Sequence, residues 1–265
     1  MPERICHANV RIVLHRTRFP ENIGAAARAM RNMGFARLSL VQPENFVAER
    51  VRRMATHVAA DVVDGSVRCE SLAEALADCQ YVVGTTARLG GERQVVSTPE
   101  AAARRLLTLS RNNQVAVVFG PEDRGLTNEE LRACHTLINI PTADFASLNL
   151  AQAVMVVCYA LFTAADEPAA DGFAPRLATR HELDGMYDQL RDILVRISYI
   201  NPENPDYWLN RLRHFFTRLQ LRAREVSIIR GICRQVDWYA GERFAAGLAE
   251  GLSREHRKEE NPPCD

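Results

Sequence analysis

The chain has 265 residues, 47% of them hydrophobic and 25% charged, with a formal net charge of zero. These are the proportions of an ordinary globular protein, long enough for one domain with an appendage. They exclude a global field that would draw in nucleic acid. No apolar run reaches the roughly 18 residues of a membrane span, so no membrane association is expected. The opening MPERICHANV has no long apolar signal core, which leaves the cytoplasm as the expected location. The seven cysteines form no CxxC pair and no zinc-spaced cluster. They read as free thiols, and no metal site is expected. Of the 33 basic residues only Lys258 is a lysine, a bias that carries no function by itself.

Up to residue 164, short apolar runs alternate with helix-like segments. VRIVLH (10–15), RLSLVQ (37–42), YVVGTT (81–86), VAVVFG (115–120) and TLINIP (136–141) have the character of buried parallel strands. Between them, Asn22 is expected to cap IGAAARAMRNM, which Gly34 closes. Ser71 with Glu74, and Thr127 with Glu130, form capping boxes, while Thr98-Pro99 opens TPEAAARRLLTL. The β-α-β-α order predicts an α/β domain over 1–164, a mostly parallel sheet covered on both faces. Residues 165–178 read as a linker rich in Ala, Asp, Pro and Gly. Residues 179–252 read as three helices of a small all-helical extension, and 253–265 as a disordered tail.

Ligands of open parallel sheets bind beyond the carboxyl ends of the strands, so the loops there carry the chemistry. Neither GxGxxG after a strand nor GxxxxGK[ST] occurs, which argues against a dinucleotide fold and a P-loop NTPase. Three other loops are unusual. In the first, NIGAAAR, Gly24 bares a helix N-terminus, and Arg28 one turn later reaches back toward it. Its ordinary reading is a capped, alanine-rich helix with a solvated arginine. The second, FGPEDRGLTNEEL (119–131), places Gly120, Glu122 and a turn-permitting Gly125 between strand and helix. Taken alone, it is a polar loop with a capping box. The third, INIPTADFASLNLAQAV, has Ser147 as the expected N-cap and a loop longer than α/β units usually carry.

In this order, each at a strand end, N-x-G-x-x-x-R, G-P-E-x-x-G-L and I-P-x-x-x-x-x-S-L-N-L-x-x-A-V resemble the three motifs of the TrmH-like branch of the SPOUT RNA methyltransferases. The likeness takes in VVGTTAR and most of residues 9–162. The segment NRLRHFFTRLQLRAREVSIIRGICRQV resembles the extension of bacterial tRNA (cytidine/uridine-2′-O-)-methyltransferases that act on the anticodon loop. The resemblance implies a trefoil knot late in the α/β domain, bound S-adenosylmethionine, a tRNA substrate and a homodimer with active sites at its interface. It implies a cofactor pocket lined by Thr85, Thr86, Ala87, Gly120, Ile140, Ser147, Leu148 and Asn149. It gives Arg28 a catalytic role, as base or as electrostatic stabiliser. Ser147, Asn22 and Glu122 would join it in the catalytic group: Ser147 would orient the ribose or the cofactor, and Glu122 with Gly125 would fix the loop closing on the cofactor.

After Arg88 the chain runs Leu89-Gly90-Gly91-Glu92-Arg93, so which of Arg88 and Arg93 meets RNA stays open. The appendage supports RNA on physical grounds. Residues 204–234 carry seven arginines, among them Arg211, Arg213 and Arg218, against Asp206 and Glu225. Basic helices supply phosphate contacts. Tyr207 and Trp208 are interleaved with these arginines, and Phe215 and Phe216 are expected to be core. Ribosomal RNA as substrate, or a catalytically silent RNA-binding protein, are the competing readings.

Overall fold

The computed structural model describes residues 4–87, 96–143, 147–164 and 175–260, with Arg218 and residues 248–260 described by backbone alone. Strands β1 (Val10–His15), β2 (Arg37–Val41), β3 (Val67–Cys69), β4 (Tyr81–Thr85), β5 (Val96–Ser97), β6 (Val115–Phe119) and β7 (Thr136–Ile138) form one sheet. Its order is β3-β2-β1-β6-β4-β7-β5, with every pairing parallel. Helices α1 (Pro20–Asn32), α2 (Ala48–Ala55), α3 (Ala60–Asp64), α4 (Leu72–Leu76), α5 (Pro99–Leu109), α6 (Asn128–Leu131) and α7 (Leu150–Thr163) cover it. Three more follow: α8 (Arg180–Arg196), α9 (Pro205–Leu219) and α10 (Ala223–Glu260).

Both faces of the sheet are dry, which is why the strands read as unbroken apolar runs rather than alternating ones. Val10, Ile12 and Leu14 of β1 point to a core shared with α1, α2, α5 and α7. Val13 points the other way, to a smaller core with Ala75 and Leu76 of α4 and Leu131 of α6. The five expected strands are present, the last four of them ending one to three residues earlier than the apolar runs. The short strands β3 and β5 and the helices α2 and α3 were not expected from the sequence.

Two expected caps differ. Helix α1 begins at Pro20, with the extended Phe19 as its N-cap, because proline's fixed φ suits the first helical position. Asn22 therefore lies inside the first turn, and its side chain is free for another task. Helix α7 is capped by Asn149, which accepts from the Ala151 amide at 2.9 Å; Ser147 is not the cap. The caps at Ser71, Thr98 and Thr127 form as expected, and Gly34 ends α1 with a φ of 79°.

The three C-terminal helices have their own small core of Leu183, Met186, Tyr187, Leu209, Leu221 and Val226. They root on their own chain. The Leu177 amide donates to Asn113 Oδ1 at 2.8 Å, and Asn113 Nδ2 donates to the Pro175 carbonyl at 3.2 Å. The amides of Arg180 and His181 donate to the carbonyls of Cys79 and Ala77. Leu177 itself is buried in the main core. Cys79 and Asn113 precede β4 and β6, so the attachment lies at the amino ends of the strands. Phe216 packs on the helical core, but Phe215 is 48% exposed, against expectation, since α9 turns only one face inward. Helix α10 runs through Glu260, beyond the residue where a tail was expected to begin. Its terminal Arg, Glu and Lys are strong helix formers. Among the described residues no helix is long and apolar enough to cross a membrane.

Candidate active site

At the carboxyl ends of β4, β6 and β7 lies a cavity of about 390 Å³. Thr85, Thr86 and Ala87 come to it from the end of β4, and Gly120 from the end of β6. Ile140 follows β7, and Ser147 and Leu148 precede α7. Asn149, the eighth residue expected there, lies just behind, capping α7. Phe119, Leu126, Ile138 and Leu150 add apolar wall, and Asp123 and Arg124 add charge.

The walls are held by hydrogen bonds between segments distant in sequence. Thr85 Oγ1 donates to the Val118 carbonyl at 3.0 Å, tying β4 to β6. The Thr86 amide donates to the Ile138 carbonyl at 2.9 Å, and Asn139 Nδ2 to the Thr86 carbonyl at 2.9 Å. At Gly120 a β-carbon would stand 2.4 Å from the Leu126 amide nitrogen, so only glycine lets the 120–126 loop fold back on itself. Gly125, at φ 66°, makes the left-handed turn that the sequence predicts.

The three unusual loops meet at one point. Asn149 Nδ2 donates to Asn22 Oδ1 at 3.0 Å, and Asn22 Nδ2 donates to Glu122 Oε1 at 2.7 Å. The other carboxylate oxygen of Glu122 accepts from the Arg18 amide at 3.0 Å. Each oxygen of Glu122 thus accepts one hydrogen bond that fixes a loop. The 120–126 loop is also fastened from behind. The buried His15, at the end of β1, meets Glu130 Oε1 at 2.8 Å, while Glu130 Oε2 accepts from the Thr127 amide. Burial would raise the Glu130 carboxyl, but the Thr127 amide and the His15 ring outweigh it and hold it below its usual value. Burial holds the His15 ring below its own, against the pull of Glu130. Neither His15 nor Asn139 is recognisable from sequence, because each acts on a partner far along the chain.

Gly24 differs from its sequence reading. It does not bare amides for an anion. A methyl at Gly24 would stand 2.1 Å from the Val51 carbonyl oxygen and 2.9 Å from the Ala55 nitrogen, so the glycine lets α1 and α2 touch backbone to backbone. Arg28 is exposed on α1, makes no hydrogen bond or ion pair among the described residues, and does not line the cavity of its own chain. Arg88 and Arg93 lie outside the described residues, as do residues 144–146 of the third loop. Arg211 stacks on Tyr207 and Trp208, and Arg213 lies 5.5 Å from the centre of the Tyr187 ring. Arg218 lies in α9.

Two family models match in tandem: the SpoU rRNA methylase family over residues 9–159, and the C-terminal domain of the tRNA methyltransferase TrmJ over 181–248. The tRNA (cytidine/uridine/adenosine-2′-O-)-methyltransferase TrmJ of Pseudomonas aeruginosa is 37% identical, the match covering 91% of this chain and 96% of that one. The tRNA (cytidine/uridine-2′-O-)-methyltransferase TrmJ of Photorhabdus laumondii is 36% identical, over 88% and 98%. The crystal structure of TrmJ from Z. mobilis superposes with a TM-score of 0.75 at 31% identity, covering 86% of this chain and 98% of that one. A parallel sheet whose three motif loops lock together beside a cavity, continued by a matching helical unit, places this chain in the SpoU methylase family.

Proposed function

We infer that this chain is a methyltransferase that uses S-adenosylmethionine to methylate a ribose 2′-hydroxyl of tRNA, at a cytidine or uridine of the anticodon loop. The observation that carries this reading is the contact of Asn149, Asn22 and Glu122, in which the first loop reaches two loops 100 and 127 residues further along the chain at the lip of the cavity. The full-length similarity to curated tRNA 2′-O-methyltransferases supports it.

The cavity suits the cofactor in size and character. Its volume is in the range of small-molecule sites, and it mixes apolar wall with a few polar groups. Gly120 lets the 120–126 loop fold into the wall of the cavity. Bound S-adenosylmethionine supplies a methyl group already activated by a positive sulfur. Thr85, Thr86, Ala87, Ile140 and Leu148 would hold it, largely through backbone groups and apolar contact. Ser147, exposed at the mouth, would orient the incoming ribose. Glu122, on the cavity wall, and Asn149, behind it, would keep the loops in place. Arg28 supplies the cation that favours a developing alkoxide, or the base that takes the hydroxyl proton.

Arg28 cannot do this in its own chain's cavity, so the reading requires a homodimer in which a partner brings its Arg28. Helix α7 supports such a dimer: it carries no charged residue, and Val156, Tyr159 and Phe162 make an exposed apolar stripe at helical spacing. The same reading includes a trefoil knot in the last third of the α/β domain, and a two-part chain with its helical unit from residue 179.

Calorimetric titration with S-adenosylmethionine, followed by transfer of labelled methyl to bulk tRNA and to ribosomal RNA, tests the assignment. Saturable binding and tRNA-specific 2′-O-methylation are expected. Binding without transfer to either RNA would turn the chain into a silent RNA-binding relative.

A further inference from the structure

Helix α9 presents two unlike faces. Leu209 and Phe216 turn into the helical core. The other face shows Tyr207, 50% exposed, Trp208, 43% exposed, and Phe215. Helical spacing brings Arg211 to the same face, four residues after Tyr207, three after Trp208 and four before Phe215. Its Nη2 donates to Tyr207 Oη at 2.6 Å. The guanidinium lies 4.8 Å from the centre of the Tyr207 ring and 5.4 Å from that of Trp208. The two rings stand edge to face, 5.7 Å apart at 85°. They are therefore held in place at the first turns of α9, although neither contributes to the core.

Large aromatic rings kept in water and braced by a cation need an occupant. Resting on the tRNA reading above, we propose that Tyr207, Trp208 and Arg211 form a stacking platform for an unpaired base of the tRNA, away from the nucleotide being methylated. Stacking on aromatic rings is how proteins hold unpaired bases, because every base has a π-face. The segment that carries the platform has the matching sign: residues 204–234 hold seven arginines against Asp206 and Glu225. A second copy of the chain fits less well, since a two-fold contact on this face would set arginines against arginines.

The full-length Trp238→Phe variant leaves Trp208 as the only tryptophan, and its emission reads the platform directly. Titration with bulk tRNA should quench it saturably, in step with binding measured by filter retention. Trp208→Ala should weaken tRNA binding roughly five- to a hundredfold, the range of one lost base stack. Trp208→Phe should recover most of that loss. The slope of affinity against salt should stay unchanged in Trp208→Ala, because no phosphate contact is removed. If Trp208 emission is unmoved while wild-type protein binds and methylates tRNA, the platform is wrong and the enzyme reading stands. Emission that shifts with protein concentration, before RNA is added, would assign the rings to a subunit contact instead. A wild type that neither binds nor methylates tRNA would overturn both.

Discussion

The α/β unit and the helical unit differ in where most of their aromatic residues lie, although Phe19, Tyr159 and Phe162 of the first are exposed and Tyr187 of the second is buried. In the first, Phe35, Tyr81 and Phe119 are fully buried, and the residues around the cavity are tied by side-chain hydrogen bonds between distant segments. In the second, Tyr199, Tyr207, Trp208, Phe215, Trp238 and Tyr239 are exposed. Transfer of a methyl group needs atoms held near an in-line geometry, which rewards rigidity. Holding a large, charged polymer needs accessible cations and rings, which rewards surface. On the proposed function the two units divide those demands, and each can be attacked separately.

The largest effect is expected at Arg28. Arg28→Ala should lower single-turnover methyl transfer roughly a hundredfold or more, the scale of one positioned catalytic group. Folding and cofactor affinity should hold, since alanine is the best helix former. A rate within about threefold of wild type would make Arg28 a solvated helix residue. Arg28→Lys probes the role further, because lysine keeps the charge without the planar fork.

The division between units is next tested by where the chain is cut. Removing everything after residue 164 takes away Leu177 from the main core and leaves Asn113 without its Leu177 and Pro175 partners. Cutting after Thr179 keeps both. The longer fragment should be more stable in urea by about 2 to 4 kcal/mol, the range for losing a buried leucine. Both should bind S-adenosylmethionine and handle tRNA poorly. Equal urea midpoints for the two fragments would show that the 175–179 strap belongs to the helical unit alone.

A third test uses pH. Burial pushes His135, behind β4, down to about 3, and His15 is lowered by the same cause. Each folded-state value lies below the unfolded one of about 6.5, so the unfolded chain binds more protons below that pH. Stability should therefore fall as pH drops from about 6.5, by up to about 1.4 kcal/mol per pH unit for each histidine. Glu130, lowered, adds its loss only below about 4.3. Urea midpoints from pH 7.5 to 5.0 measure this; a flat profile would contradict the burial of both rings.

The smallest effect is expected at Asn22. Asn22→Ala breaks the chain of bonds at the lip but leaves Glu122 its bond from the Arg18 amide. Cofactor affinity should fall about threefold to tenfold, consistent with one hydrogen bond of roughly 1 kcal/mol. An unchanged affinity by calorimetry would mean that the loops are held elsewhere.

Much of the α/β unit was legible because strands buried on both faces leave continuous apolar runs. The missed strands explain themselves. β5 has two residues, with Val96 at a sheet edge, and β3 has three, too few for a pattern. Caps were legible where one residue dominates, as at Thr127, and misread where candidates compete. Asn22 lost to Pro20, and Ser147 to Asn149. The cavity residues followed from motif resemblance, not from local pattern. The bond from Asn22 to Glu122 spans 100 residues, and no periodicity encodes such a distance. Phe215 was misjudged because composition does not say which face of a basic helix is turned outward.

Gly24 makes α1 and α2 a single mechanical part. No side chain separates them at Gly24, and Arg50 of α2 pairs with Glu21 of α1 at the surface beside that contact. Arg28 rides on that slab one turn beyond the contact. Adding one methyl group at Gly24 would have to open the gap by about 1 Å to restore ordinary packing, and the guanidinium would be carried with it. A displacement of that size can cost about a hundredfold in rate without touching a reacting atom. With the role proposed for Arg28, the tolerance of its aim would be set by the thickness of one hydrogen atom on α1.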